Sequence, residues 1–446
     1  MQARTVFAMK TFEASITGLT HDGRGVTHID GKAVFVSGVL PGEQALLSIR
    51  RRHRNYDEAD VVELLVRSPH RVEPRCRHYG QCGGCSLQHL DAEAQIAAKQ
   101  SVLEENFARI GKVSPESWLP PLTDEPWGYR RKGRLSVRNV VKKGRVLVGF
   151  REEDNPRFVA DIEQCEIVHP ALGPKIGLLA QLISGMDAAG DIAQIEFAAG
   201  DDTMALVFRH LQPLSAADQA ALIAFGQQHN FAIYLQPGGI SSVHPLWPEQ
   251  PRLAFRIASA DAAISDVELE FLPLDFVQVN AGMNQRMMER TMALLDPQPT
   301  DRVLDLFCGL GNFTLPIARR VAEVMGVEGE HGLVERAAQN AARNGIANAS
   351  FQVANLFEDQ RAASWAQQSW DKLLLDPPRA GADKVLEYLP RKGTRRIVYV
   401  SCHPGSLARD AGILVQRHGF RLVTAGVMDM FPHTAHVESI ALFERD

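Results

Sequence analysis

RVLDLFCGLGNF, residues Arg302–Phe313, is a short apolar strand that runs into a glycine turn, with a helix expected from Asn312. The alternation continues outward from it. VAEVMGVE, ASFQVAN, DKLLLDPP, RRIVYVSC, FRLVTAGVMDMF and HVESIALFE are further strand candidates, with helices expected over His331 to Asn344 and from Gly405. Apolar runs bounded by polar turns, with helical segments between them, predict a mostly parallel α/β sheet covered on both faces from about residue 300 onward.

The glycine turn suits a ligand. Glycines let the backbone approach a bound group closely at the carboxyl end of the sheet, where open α/β folds bind cofactors. A single G-x-G serves NAD, FAD or simple packing equally well. Glu328 narrows the choice to nucleosides, because it ends the second strand 23 residues after Asp305, where a carboxylate accepts hydrogen bonds from ribose hydroxyls. No third glycine follows at the dinucleotide position, and Asp376-Pro-Pro-Arg379 ends the fourth strand. The two prolines fix φ and keep the preceding residue extended, making a rigid wall beside a transferable group. These features favour S-adenosylmethionine over NAD.

Cys402 ends the fifth strand in YVSCHP, on the same rim as the turn. Without context a buried cysteine is an inert small hydrophobe. Beside a methyl donor it fits pyrimidine chemistry: carbon 5 of uracil is too electron-poor to take a methyl group until a thiolate adds to carbon 6. A base must then remove the proton left on carbon 5. Glu438 in HTAHVES is the candidate base, with His403, His433 and His436 as alternatives.

The chain has 446 residues, 45% hydrophobic and 23% charged, enough for two to four domains. No window approaches eighteen consecutive apolar residues and the opening MQARTVFAMK lacks a signal-peptide core, so membrane insertion and export are not expected and a cytoplasmic protein is. Six cysteines over this length do not make a disulfide framework. The net charge of −5 conceals an asymmetry: residues 1–160 hold 25 Lys and Arg against 19 Asp and Glu, and residues 161–446 hold 23 against 34. A polyanion is therefore expected on the N-terminal part. There, residues 12–70 read as short strands cut by the turns HDGRG, IDGK and LPGE, a small β barrel carrying Arg50, Arg51, Arg52 and Arg54. Arg130 to Arg145 holds eight Lys or Arg and no acidic residue, a hairpin pattern read as a phosphate-contacting surface.

Cys76, Cys82 and Cys85 form C-x5-C-x2-C around Gly83 and Gly84, and Cys165 follows 80 residues later. Such spacing signals a metal, with zinc and an iron-sulfur cluster equally compatible.

DLFCGLGNFTLP (Asp305–Pro316), DPPR, YVSC-x-P and DMFPHTAHVE (Asp429–Glu438) together resemble the RNA uracil-5 methyltransferases over nearly the whole chain. The barrel resembles a TRAM domain, and its combination with the cysteine pattern is similar to bacterial members that act on 23S ribosomal RNA. The resemblance implies a Rossmann-like methyltransferase domain with a seven-stranded sheet over residues 271–446, an OB-like TRAM barrel over 12–70, and an α+β central iron-sulfur domain over 71–270. It implies a [4Fe-4S] cluster on Cys76, Cys82, Cys85 and Cys165. It also implies S-adenosylmethionine contacts from Gln278, Phe307, Asn312, Glu328, Asn355 and Asp376, with Cys402 as nucleophile and Glu438 as base. Large-subunit ribosomal RNA is the implied partner, and a monomer is expected. Two residues depart from the family pattern: His403 stands where asparagine is usual and Ala435 where glycine is common. Chemistry at a stacked base further predicts that the target uracil flips out.

Overall fold

The structure is a computed structural model that describes residues 11–389 and 393–445. Its first unit has six strands, β1 (Thr11–Ser15), β2 (Gly18–Leu19), β3 (Gly25–Ile29), β4 (Lys32–Val36), β5 (Gln44–Arg52) and β6 (Tyr56–Val66), in the order β1-β5-β6-β4-β3-β2. Alternation along β4 and β5 turns Val34, Val36, Ala45 and Leu47 inward to a small core with Ile16, Val39 and Ala59. Three register shifts between β5 and β6 bend that long pair around the core. Of the basic strand end, Arg50 is largely neutralised by Glu58, Asp60 and Asp154, while Arg51 and Arg52 stay exposed.

The middle region is more regular than its sequence suggests. Helix α1 (Ala92–Asn106) is capped by the Asp91 carboxylate, which accepts from the Ala94 N–H at 2.8 Å, and it ends in a wider turn over Phe107–Gly111. After β7 (Ser117–Trp118) come β8 (Lys132–Val140), β9 (Arg145–Gly149), α2 (Ile176–Ser184), β10 (Ile192–Ala199), β11 (Met204–His210), α3 (Ala216–His229), β12 (Phe231–Gln236) and β13 (His244–Trp247). These strands, β7 apart, make a second six-stranded sheet, β13-β12-β11-β10-β8-β9, with its own apolar core. The basic hairpin expected over Arg130 to Arg145 is there as β8 and β9, but it is not uniformly a surface. Arg131 is buried over the Phe255 ring and Lys132 donates to the Pro273 carbonyl at 2.7 Å, whereas Arg134, Arg138, Lys142, Lys143 and Arg145 are exposed. Strands β14 (Ala254–Ile257) and β15 (Val267–Glu270) form a separate ladder. Its apolar side, Phe255, Ile257, Val267 and Leu269, joins the core of the C-terminal part.

That part comprises α4 (Ala281–Leu295), β16 (Arg302–Leu306), α5 (Thr314–Ala318), β17 (Glu323–Glu328), α6 (His331–Arg343), β18 (Ala349–Val353), α7 (Ser364–Gln367), β19 (Lys372–Leu375), α8 (Asp383–Tyr388), β20 (Arg396–Ser401), α9 (Pro404–His418), β21 (Arg421–Met428) and β22 (Glu438–Glu444). All seven strands expected from the apolar runs are present. The sheet nevertheless has eight, β18-β17-β16-β19-β20-β22-β21-β7, rather than seven. The eighth is β7, two residues of the central region that pair parallel to β21 and carry no periodicity to read. Strands β16 to β20 run parallel, and β22 is antiparallel to both its neighbours. No described helix is long and apolar enough to cross a membrane.

The end of α1 crosses α9 so closely that a Cβ built on Gly412 would stand 2.8 Å from the Gly111 carbonyl oxygen. Glycine to alanine inside a helix ordinarily gains roughly 0.5–1 kcal/mol. Here overpacking against backbone outweighs that, and Gly412→Ala is expected to lose about 1–3 kcal/mol, read as a lower denaturation midpoint.

Candidate active site and cysteine cavity

The parallel strands end together and set the site out in a row. Glu328 closes β17, Phe307 follows β16, Asp376 follows β19 and Cys402 follows β20, which is their order across the sheet. Because β22 runs the other way, it begins at this rim with Glu438. Ser401 pairs with Ser439 in the last rung of this ladder, and Cys402 and Glu438 are the next residue of each chain segment at the same rim. Residues facing each other across antiparallel strands have Cα atoms about 4.5–5.5 Å apart.

At the cofactor end the chain is bent hard. Phe307 adopts φ +66°, unusual for a bulky side chain, and Gly309 and Gly311 follow at +55° and +95°. The Gly309 N–H donates to Glu328 at 3.1 Å, and the other Glu328 oxygen accepts from the N–H groups of Gly329 and Glu330. Gln278, Phe307, Asn312 and Asp376 line one narrow cavity with Phe255, Phe276 and Leu310. Asn312 is fixed by a reciprocal amide pair with Asn284 of α4, at 3.0 and 3.1 Å. Asn355 does not reach this cavity: it is exposed and holds its own turn, donating to Glu358 at 2.8 Å and accepting from the Phe357 N–H. Phe357, which the sequence gave no reason to choose, stands beside Phe307 with ring centroids 5.8 Å apart.

Three carboxyl groups crowd this end. Asp305 is fully buried, accepts from the Thr314 hydroxyl at 2.5 Å, and has its pKa pushed up to about 8 by burial, with Asp376 and Glu328 adding repulsion. Burial and Glu328 raise Asp376 to about 7. Burial and Asp376 raise Glu438 to about 8, against the pull of Lys99 and Arg379. Burial pushes the Cys402 thiol up to about 12, and of the surrounding charges Glu438 adds most to that.

Cys402 opens onto a cleft of about 730 Å³ that all three parts of the chain line. His21 and Asp22 come from the barrel turn, Gly84, Ser86 and Arg130 from the central region, and Arg379, His403 and His436 from the C-terminal part. The HDGRG segment was legible only as a turn, and its place over Cys402 is set by tertiary packing. His403 caps α9, its Nδ1 accepting from the Ser406 N–H at 3.1 Å, which is the service an asparagine would perform. That nitrogen is therefore committed. His433 is buried, with its pKa pushed down to about 4 by burial, and stacks on Trp127 at 3.9 Å. Among the candidate bases, Glu438 is the one whose charge bears most on the Cys402 thiol.

Cys76, Cys82, Cys85 and Cys165 line a second cavity, covered by Phe150, Ile162 and Ile167. Burial pushes the Cys82 and Cys85 thiols up to about 11 and about 12 and raises Cys165 too, with the neighbouring sulfurs contributing. The loop is turned at Gly80, φ +82°, rather than at Gly83 or Gly84; Gly83 instead packs against the Glu153 backbone. Among the described residues no three His, Cys, Asp or Glu side chains converge as ligands of one metal ion. Four soft sulfur donors under an apolar cover nonetheless match the donor set of a cysteine-ligated cluster.

A family described as tRNA (Uracil-5-)-methyltransferase matches residues 263–446, and the TRAM domain matches residues 7–62. The chain is 61% identical to the 23S rRNA (uracil(1939)-C(5))-methyltransferase RlmD of Xanthomonas oryzae pv. oryzae, covering 100% of this chain and 99% of that one. It is 59% identical to the protein of the same name from Stenotrophomonas maltophilia, over 97% of each. In fold it is similar to the Pyrococcus abyssi tRNA (uracil-54, C5)-methyltransferase solved with S-adenosyl-L-homocysteine, with a TM-score of 0.72, 23% identity and coverage of 97% of this chain and 100% of that one. With a shared rim, a TRAM barrel and full-length identity near 60%, the chain belongs to the S-adenosylmethionine-dependent RNA uracil-C5 methyltransferases.

Proposed function

We propose that this chain, a cytoplasmic monomer, methylates carbon 5 of a uracil in 23S ribosomal RNA, at the position for which its relatives are named, uracil 1939. The observation that supports the catalytic assignment is that Cys402 and Glu438 directly adjoin the Ser401–Ser439 pair, at the end of a row that starts in the cofactor turn. The cleft has room for a flipped base, and the exposed arginines of β5 and the β8–β9 hairpin supply phosphate contacts.

The Cys402 sulfur adds to carbon 6, the ring electrons shift to the oxygen on carbon 4, and carbon 5 becomes nucleophilic. Bound S-adenosylmethionine supplies the methyl group. Carbon 5 then carries a methyl group and a hydrogen. Glu438 removes that proton, the double bond between carbons 5 and 6 re-forms, and Cys402 leaves as thiolate. A thiol that burial pushes up to about 12 is protonated at neutral pH, so its proton is given up to solvent as the sulfur adds to carbon 6. Gln278, Phe307, Asn312 and Asp376 hold the cofactor, and Glu328 accepts from its ribose. Above about pH 7 the ionised Asp376 favours a cationic sulfonium over its neutral thioether product. Cys76, Cys82, Cys85 and Cys165 hold a [4Fe-4S] cluster.

Four outcomes are expected. RNA carrying 5-fluorouridine traps the wild-type enzyme covalently at Cys402, because fluorine cannot leave as a proton; Cys402→Ala forms no adduct and loses at least about a thousandfold in turnover. Glu438→Gln lowers turnover by about 10²–10⁴-fold while still forming adduct, and a variant with normal turnover removes Glu438 as the base. As pH rises through about 7, Asp376 ionises, so affinity for S-adenosylmethionine relative to S-adenosylhomocysteine rises; a flat ratio in calorimetry counts against that carboxylate. Anaerobically prepared protein contains about four iron and four sulfide per chain, and Cys165→Ser lowers both.

A further inference from the structure

The motifs gave no reason to single out Lys99, yet it is a buried cation of the central region whose charge acts on Glu438. It lies on α1, is 2% exposed, and donates from Nζ to Asp429 Oδ1 at 2.6 Å and to the Phe431 carbonyl at 3.0 Å. Lysine is almost never fully buried unless paired. Its partner directly follows Met428, the residue that pairs with Glu438 across the β21–β22 ladder. The ammonium is thus carried from another part of the chain to the foot of the loop that leads into Glu438.

A purely structural tether is the plainer reading, but it fits poorly. A buried ion pair is a weak source of stability, often replaceable by apolar side chains without loss. The charges around Glu438 also make a cation there useful. Asp376 and Cys402 act on it from the ends of β19 and β20, Arg379 from the proline wall and Lys99 from α1, while the loop before it carries Asp429, His433 and His436. Asp376 opposes ionisation of Glu438, while Lys99 and Arg379 favour it. Arg379 is exposed and screened by solvent, whereas Lys99 acts through a dry interior.

We propose that Lys99 is a positioning residue for the final proton abstraction: its buried ammonium favours the carboxylate form of Glu438 and, through Asp429 and the Phe431 carbonyl, holds the loop that presents it. The assignment rests on Glu438 being the base. With that charge removed, methylated adduct forms but is slow to resolve, because the carboxyl group holds its proton up to a higher pH.

The test compares full-length, cluster-loaded Lys99→Met, Lys99→Arg and the double variant Lys99→Met/Asp429→Asn, in which no unpaired buried carboxylate remains. In Lys99→Met the acid limb of the turnover profile is expected to move up by about one pH unit, which is about a tenfold loss on that limb. Methyl-labelled covalent adduct should accumulate on ordinary uridine RNA, while trapping on 5-fluorouridine RNA stays at the wild-type level. Lys99→Arg should restore the limb, and the double variant should keep the shift while folding as stably as wild type. A double variant with a wild-type limb and no accumulated adduct overturns the proposal, because Lys99 then serves only to neutralise Asp429. If wild-type enzyme forms no adduct on 5-fluorouridine RNA, the assignment of Cys402 and Glu438 fails instead.

Discussion

The pairing of Ser401 with Ser439 is the constraint on which the site depends. In a sheet of parallel strands the carboxyl ends gather at one rim and the amino ends at the other, so a strand's first residue is normally far from the chemistry. Strand β22 lies antiparallel between β20 and β21, and this reversal brings its first residue to the working rim. Side chains alternate faces with period two, so a slip of one residue would turn Glu438 to the opposite face of the sheet and remove it from Cys402. Glu438 is placed by its strand, which runs along the six-residue ladder with β20 and pairs Glu438 itself with Met428 of β21.

That rim also collects negative charge that folding does not favour. Burial raises the proton affinity of Asp305, Asp376 and Glu438, and repulsion from the neighbouring carboxylates Glu328 and Asp376 adds to it. The compensations are specific. Thr314 donates to Asp305, the Gly309 N–H to Glu328, and Lys99 reaches inward toward Glu438. Oriented donors and charges fixed by the fold need no rearrangement during the reaction, which is how a preorganised site contributes most to rate. The same crowding suits a cationic cofactor, whose arrival relieves repulsion that the empty site carries.

Much of this was legible in the sequence, for identifiable reasons. The seven strands of the C-terminal part are apolar runs bounded by turns, and those runs put Cys402 and Glu438 at strand ends. Asn355 came from resemblance alone, and its side chain is spent on its own turn. The central sheet was hard to read because β11 and β12 are buried on both faces and show no alternation. Lys99 was invisible for the opposite reason: the buried residues of α1 are Gln95, Lys99 and Leu103, so the helix turns polar groups inward where periodicity expects apolar ones. Its partner Asp429 lies 330 residues away, beyond any local signal.

The loop between β21 and β22 shows why the C-terminal part does not make its site unaided. The N–H groups of Ser86 and Leu87 both donate to the His433 carbonyl, at 3.0 and 2.9 Å, and the Ala435 N–H donates to the Ser86 hydroxyl. The Tyr129 hydroxyl donates to the Pro432 carbonyl, Lys99 to that of Phe431, and the His433 N–H to Gln95. Every one of these partners belongs to the central region, either to the segment directly after Cys85, to α1, or to the strand entry at Tyr129. His433 is held at φ +65° among them, a conformation that costs energy for a non-glycine residue unless its surroundings impose it. The cysteine loop and the catalytic loop therefore share a hydrogen-bonded seam. Whatever orders the four sulfurs also orders the backbone that leads to Glu438, and the central region is part of the frame of this rim.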